Sequence, residues 1–181
     1  MARLPYLTAE DLKPEDKGLL SRDINLYRIL VHNPDAMRAF SGLGQYLRHR
    51  TTLDARLREL AILQVGWLAR APYEWSHHVK IGYDFGVTDA DIEALIADTE
   101  GRPNGLDAKA RLVLRAAREI HAGGCAEDTM EALKGSFDHA EILDIVVTAS
   151  FYCAVVRLLS SFAIDVEESY MPYLQKYPLP A

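Results

Sequence analysis

Apolar residues recur at helical spacing along most of this chain, and no stretch shows the strict alternation of a half-buried strand. Helical spacing covers 22–32 and 34–49, separated at Asn33-Pro34; proline suits a helix's first turn, where its missing N–H would have no partner anyway. The next helix is predicted over 54–70. Thr52 is its expected cap, since a hydroxyl can accept an orphan backbone N–H, and Asp54 lies near the positive end of its dipole. Its stretch from Leu60 to Ala69 is apolar nearly all round, the pattern of a helix buried on most sides.

Pro72 breaks that pattern, and a helix over 73–85 follows, with Gly86 fitting its C-terminal cap. Thr88 and Asp91 form a capping-box pattern for a helix at 89–98, and 100–105 reads as a loop. Further helices are predicted at 107–122, 126–135, 138–163 and 165–175. Residues 1–20 read as an arm with one short helix near 9–12. Residues 176–181 read as a flexible tail, with Pro178-Leu179-Pro180 disordered or docked on a partner.

The two long apolar helices, 54–70 and 138–155, each carry an early glutamate, Glu59 and Glu141. Each follows a short amphipathic pair and precedes a further helical stretch. The pattern predicts an all-α, compact multi-helix bundle in one domain spanning 1–181, with two similar helical halves around a shared core.

Composition agrees. Of 181 residues, 49% are hydrophobic and 25% charged, the balance of an ordinary globular domain. A net charge of −6 with mixed signs argues against a nucleic-acid partner, which calls for a concentrated basic face. No apolar run reads as long enough to span a bilayer and the first residues lack a secretory h-region, so no membrane partner and a cytoplasmic location are expected. Cys125 and Cys153 make no CxxC pair and read as reduced, structural thiols. A nucleophile elbow, a phosphate loop and a dinucleotide fingerprint are all missing from the sequence.

The candidate chemistry centres on 73–78, Tyr-Glu-Trp-Ser-His-His. Glu74 and His78 are four apart and share a helix face, with His77 close to it. A carboxylate beside imidazoles is suited to proton transfer, because each tunes the other across neutral pH. The alternative is a helix-stabilising surface pair, which the flanking Tyr73 and Trp75 argue against. Glu59 sits within the most apolar helix. If buried alone its pKa would rise, as a general acid or base requires; otherwise it pairs with Arg56 or Arg58. Glu74-Trp75-Ser76-His77 is also a Glu-x-x-His motif of the di-iron kind, but no second copy exists, so no metal and no cofactor are expected. Tyr152 and Arg157 lie on the last long helix. Arg157 interrupts an apolar run and calls for a carboxylate, from Glu59, Glu74 or a substrate acid. His32, His49, His121 and His139 fall near helix ends or in loops and read as solvated or capping.

These residues resemble the carboxymuconolactone decarboxylase and alkyl hydroperoxidase D-like superfamily. The resemblance rests on Arg58-Glu59-Leu60-Ala61-Ile62-Leu63, on Ala71 through His78, and on the later stretch from Glu141 to Asp165; it covers residues 22–165. The superfamily's peroxidase branch has a Glu followed by Cys-x-x-Cys-x-x-x-His. Glu59 and His78 match the Glu and the His, but Ala71 and Glu74 stand where the two cysteines would be. Disulfide-based peroxide reduction would therefore lack both thiols.

The resemblance instead implies a decarboxylase-type lyase without a cofactor, acting by acid–base chemistry on a small carboxylated lactone or related organic acid. In it Glu59, Glu74 and His78 are catalytic, and Tyr73, Trp75, His77, Tyr152 and Arg157 shape the substrate pocket. It also implies a homo-oligomer, a trimer or hexamer. Two other readings stay open: a peroxidase-like protein using other chemistry, and a non-catalytic oligomeric binding protein.

Overall fold

The computed structural model describes residues 2–180, and among these there are helices and turns but no strand. The α-helices are α1 (Asn25–Leu30), α2 (Pro34–His49), α3 (Ala55–Leu68), α4 (Pro72–Asp84), α5 (Asp89–Thr99), α6 (Ala108–Ala122), α7 (Glu127–Lys134), α8 (His139–Phe162) and α9 (Met171–Lys176). The all-α bundle expected from the sequence is the fold observed.

Every residue of α3 from Leu57 to Trp67 is buried, because α4, α5, α6 and α8 all pack on it. That is why its sequence is apolar around the whole circumference. It ends in a Schellman turn: Arg70 N–H donates to Trp67 O at 3.1 Å and Ala71 N–H to Gly66 O at 3.0 Å, with Arg70 in the left-handed region at φ 47°. A side chain at Gly66 would stand 3.4 Å from the Trp75 backbone nitrogen, so this glycine lets α3 and α4 close tightly.

The other long helix, α8, ends the same way. Ala163 is left-handed at φ 49°, and Ala163 and Ile164 donate to Ser160 and Leu159. α8 is also long and apolar enough to cross a membrane by length and composition, which corrects the reading that no run reaches that length. Of its most apolar window 56% is buried inside the chain, and packing on α3 and α6 accounts for that share.

Several boundaries differ from expectation. Thr52 does not cap α3; Asp54 does, accepting from Leu57 N–H at 3.0 Å. Thr52 instead donates its backbone N–H and hydroxyl to the buried Asp144. Asp54→Ala should therefore cost about 1 kcal/mol in urea unfolding; an unchanged midpoint would place the cap elsewhere. The helix expected at 22–32 shrinks to Asn25–Leu30, since Ile24 is extended and buried. The helix expected over 165–175 is a 3-10 turn, Glu168–Tyr170, followed by α9. Asn25 explains this: its amide groups hold Asp165 O and the Glu167 carboxylate, keeping the chain between them out of a helix.

The arm contains two 3-10 helices, Ala9–Asp11 and Pro14–Leu20, rather than one short helix. Its start lies on the end of α8, where Arg3 N–H donates to Phe162 O at 2.8 Å and the Tyr6 hydroxyl to Asp165 at 3.0 Å. At the other terminus Tyr177 is buried beneath α4, and residues 178–180 have no regular structure.

Candidate active site

The hairpin of α3 and α4 sets the first part of Glu59's helix against the middle of α4. His78 Nδ1 lies 2.7 Å from Glu59 Oε2. A carboxylate only accepts, so Nδ1 carries the proton. Arg58 grips the other Glu59 oxygen through Nε and a terminal nitrogen, at 3.1 and 2.9 Å. Arg58 is itself held by Arg48 O and by the face of Phe85. The ion pair weighed for Glu59 is thus with Arg58; Arg56 pairs with Asp91 and Asp107.

On the opposite side of the imidazole, Glu74 Oε1 is 3.0 Å from His78 Nε2. It is close enough to attract the charge, but lies off the N–H axis and receives no well-directed hydrogen bond. Glu59, Glu74, His78 and Arg58 are at most 5% exposed, so each charge needs the others to offset its lost hydration.

This pairing sets the titration. Burial alone would lower His78, but the carboxylates of Glu59 and Glu74 outweigh it and push its pKa up to about 9. Burial would likewise raise Glu59, as expected from its apolar helix. Instead the His78 and Arg58 charges hold it below its ordinary value, the outcome of the paired alternative. Glu59 is a fixed anion that keeps His78 protonated and oriented. Tyr152 presents its ring edge-on to His78 at 5.0 Å; burial, followed by the Glu74 and Glu59 charges, keeps its phenol protonated well above the usual range.

A cavity of about 60 Å³ opens onto this group. A single water needs ~15 Å³, so the space admits a small molecule. Of the residues expected there, Tyr73, Glu74, His77, His78 and Tyr152 line it. Glu59 lies behind His78, outside the lining. Trp75 is also outside: it is fully buried, packs on Trp67 and donates its indole N–H to Tyr177 O at 2.8 Å. Arg157 is not in the pocket either. It is on an exposed face of α8, where its guanidinium donates to Cys153 O and lies in a separate groove with Cys125, Cys153 and His121. Solvent exposure, rather than a buried carboxylate, is why an arginine is tolerated in that apolar run.

His77 lines the cavity but is built into the scaffold. Its Nδ1–H meets Tyr73 O at 2.8 Å, and its ring is stacked between Tyr73 and Tyr170 at 4.0 and 3.6 Å. Glu167 lies beside it, 3.1 Å from Nε2, and also accepts from the Tyr73 hydroxyl and Asn25 N–H. Glu167 and Tyr170 had no sequence signal, since they are ninety residues from α4. Arg22, Arg48, Phe40 and Phe151 in the cavity wall also carried no sequence signal. Arg48 sits in an Arg-His-Arg run at the end of α2 that looks like an ordinary dipole-matched terminus. Both imidazole nitrogens of His78 face carboxylates, an arrangement suited to holding a proton.

Residues 34–119 match the model of the carboxymuconolactone decarboxylase family, a span that contains Glu59, Glu74 and His78. Several solved structures share the fold across nearly the whole chain. An alkylhydroperoxidase AhpD core protein from Ralstonia eutropha JMP134, described as an uncharacterized peroxidase-related protein, superposes with a TM-score of 0.80 at 17% identity, covering 96% of this chain and 95% of that one. A peroxidase-related protein from Silicibacter sp. TM1040 gives 0.76 at 19% identity, covering 93% of each chain. The debrominase Bmp8, as a cysteine-to-alanine variant in complex with 2,3,4-tribromopyrrole, gives 0.75 at 16% identity, covering 97% and 99%. Among curated proteins none matches the chain in sequence.

Proposed function

We propose that this chain, whose residues 34–119 match the carboxymuconolactone decarboxylase family model and whose sequence has no CxxC pair, is a cofactor-independent, decarboxylase-type lyase for a small carboxylated lactone or related organic acid. The observation that carries this reading is the buried Glu59–His78 pair, with the second nitrogen of His78 turned toward the cavity beside Glu74.

In this scheme the bond between the substrate carbon and its carboxylate breaks and carbon dioxide leaves. The electron pair passes into the conjugated carbonyl of the ring, and the Tyr152 hydroxyl can donate to the oxygen that gains charge. His78 then delivers its Nε2 proton to the carbon, and solvent restores it. Glu59 stabilises the imidazolium and holds its orientation throughout, as the carboxylate of a hydrolase triad does for its histidine. Glu74 sets the field at Nε2 without capturing the proton in a directed hydrogen bond.

A thiol peroxidase reading is less supported. Burial, reinforced by Glu119, raises the Cys125 thiol; burial raises Cys153 against the opposing Arg157 charge. Thiols held above their ordinary pKa are poor nucleophiles at neutral pH. The proposal extends to a homo-oligomeric, cytoplasmic protein, in which the exposed Leu143 of α8 and Leu43 of α2 are apolar side chains an interface would cover.

The test is a panel of carboxylated lactones and hydroxy acids in D₂O, read by carbon dioxide release and by deuterium at the carbon that lost it. Release with deuterium uptake that depends on His78 is the expected result. No release across the panel would favour the non-catalytic binding reading.

A further inference from the structure

We propose that Arg48, assisted by Arg22, is the anion anchor of this cavity and sets its specificity for a small ring compound bearing a carboxylate. The inference rests on the acid–base reading of the same site and names the residues that select its substrate.

Both arginines line the cavity, Arg48 from the end of α2 and Arg22 from the turn before α1. Both are half-buried, and among the described residues neither guanidinium has a hydrogen-bond or ion-pair partner. That sets them apart. Arg28, Arg38, Arg56, Arg58, Arg102, Arg115 and Arg118 hold carboxylates, Arg3, Arg111 and Arg157 hold backbone carbonyls, and Arg50 lies over the Tyr46 ring. A partly desolvated guanidinium gains most from a planar two-oxygen acceptor, which a carboxylate supplies and a carbonyl does not.

The carboxylates at the base of the cavity hold neither guanidinium. Glu59 is already held by His78 and Arg58, and Glu74 lies against His78. Among the described residues no carboxylate pairs directly with either arginine, so two guanidinium groups face one cavity on a chain of net charge −6. The geometry also links the anchor to the chemistry. Arg48 and Tyr152 line the same cavity, and the Tyr152 ring stands edge-on to His78 at 5.0 Å. A ligand carboxylate on Arg48 thus leaves the rest of the molecule against Tyr152 and His78. Phe40, Phe151 and Tyr73 bring aromatic surface to the wall, and a volume of about 60 Å³ suits a small occupant.

Benzoate is the probe, with benzamide as its uncharged isostere, titrated by NMR or calorimetry against the wild-type chain, Arg48→Gln, Arg48→Lys, Arg22→Gln and Arg157→Gln. Benzoate should bind better than benzamide. Arg48→Gln should weaken benzoate ~tenfold or more without affecting benzamide, as expected for loss of a charge-assisted pair. Arg48→Lys should restore part of the loss, Arg22→Gln should have a smaller effect, and Arg157→Gln none. Equal binding of benzoate and benzamide, no benzoate binding by the wild type, or Arg48→Gln within twofold of wild type would each overturn the assignment. The readout is binding, not turnover. His78-dependent turnover with Arg48-independent binding refutes the anchor alone, and the converse refutes the proton-transfer reading alone.

Discussion

His78→Gln is expected to lower turnover of the lactone acid found in the carbon dioxide screen by ~100-fold or more, the usual contribution of a positioned acid–base group. Glutamine approximates the size of imidazole and can still donate to Glu59, so the α3–α4 contact persists while the transferable proton is lost. The comparison is sound only if the variant's thermal midpoint confirms a folded chain. Turnover within about threefold of wild type in a folded variant would remove His78 from the mechanism. In the wild type, activity that needs protonated His78 should fall as pH rises through about 9.

Glu59→Ala should be the more damaging change to stability, costing about 3–5 kcal/mol. Glu59 is 1% exposed and is the acceptor for both the Arg58 guanidinium and the His78 Nδ1–H. Removing it leaves two buried cations facing one another across an empty site, with only Glu74 to balance them. Glu59→Gln keeps an acceptor oxygen and should cost less. Urea unfolding measures both, and an NMR titration should show the His78 pKa falling from about 9 in the alanine variant. A loss under about 1 kcal/mol would mean that the pair is hydrated in solution.

The same two groups give stability a defined pH window. His78 has a folded pKa raised to about 9 against an ordinary 6.5. Its contribution is complete below 6.5 and is lost as pH rises through about 9. Glu59 is shifted the other way, so its contribution is present above its ordinary 4.5 and is lost as pH falls through its lower folded value. Thermal midpoints should therefore decline on both sides of a plateau. In His78→Gln the alkaline decline between 6.5 and 9 should flatten, and a decline that persists unchanged would assign it to another group.

Much of the scaffold was legible from local rules. Asn33-Pro34 starts α2 with Asn33 as its cap, and Thr88 and Asp91 form the capping box of α5, as their residue types dictate. The helix read as apolar all round is the buried centre. Capping at 52–54 was misplaced because a hydroxyl and a carboxylate two residues apart are equally competent. Asp144, on a helix ninety residues away, claimed Thr52 and left the role to Asp54.

Site residues divided along the same line. Glu74 and His78 share a face by helical geometry alone, and the spacing from Glu59 followed the superfamily pattern. Whether Glu59 would be raised or lowered depended on what surrounded it. Burial and pairing act in opposite directions on a carboxylate, and only the packed structure says that His78 and Arg58 are both within reach. Arg157 looked buried because its sequence neighbours are apolar, yet its rotation about α8 faces solvent. Trp75 looked like a pocket wall, yet its indole anchors Tyr177.

By itself, then, the sequence determined the all-α class, the central helix and the carboxylate–imidazole pair on α4, because these follow from 3.6-residue periodicity and cap chemistry. The tertiary structure decided that Glu59 is an anion behind His78 rather than a proton donor in the cavity. It also decided that the arginines at the mouth are Arg22 and Arg48 rather than Arg157. Those outcomes depend on which distant side chains meet across α1, α2, α3, α4 and α8, and contacts between residues so far apart in the chain leave no local periodicity to read.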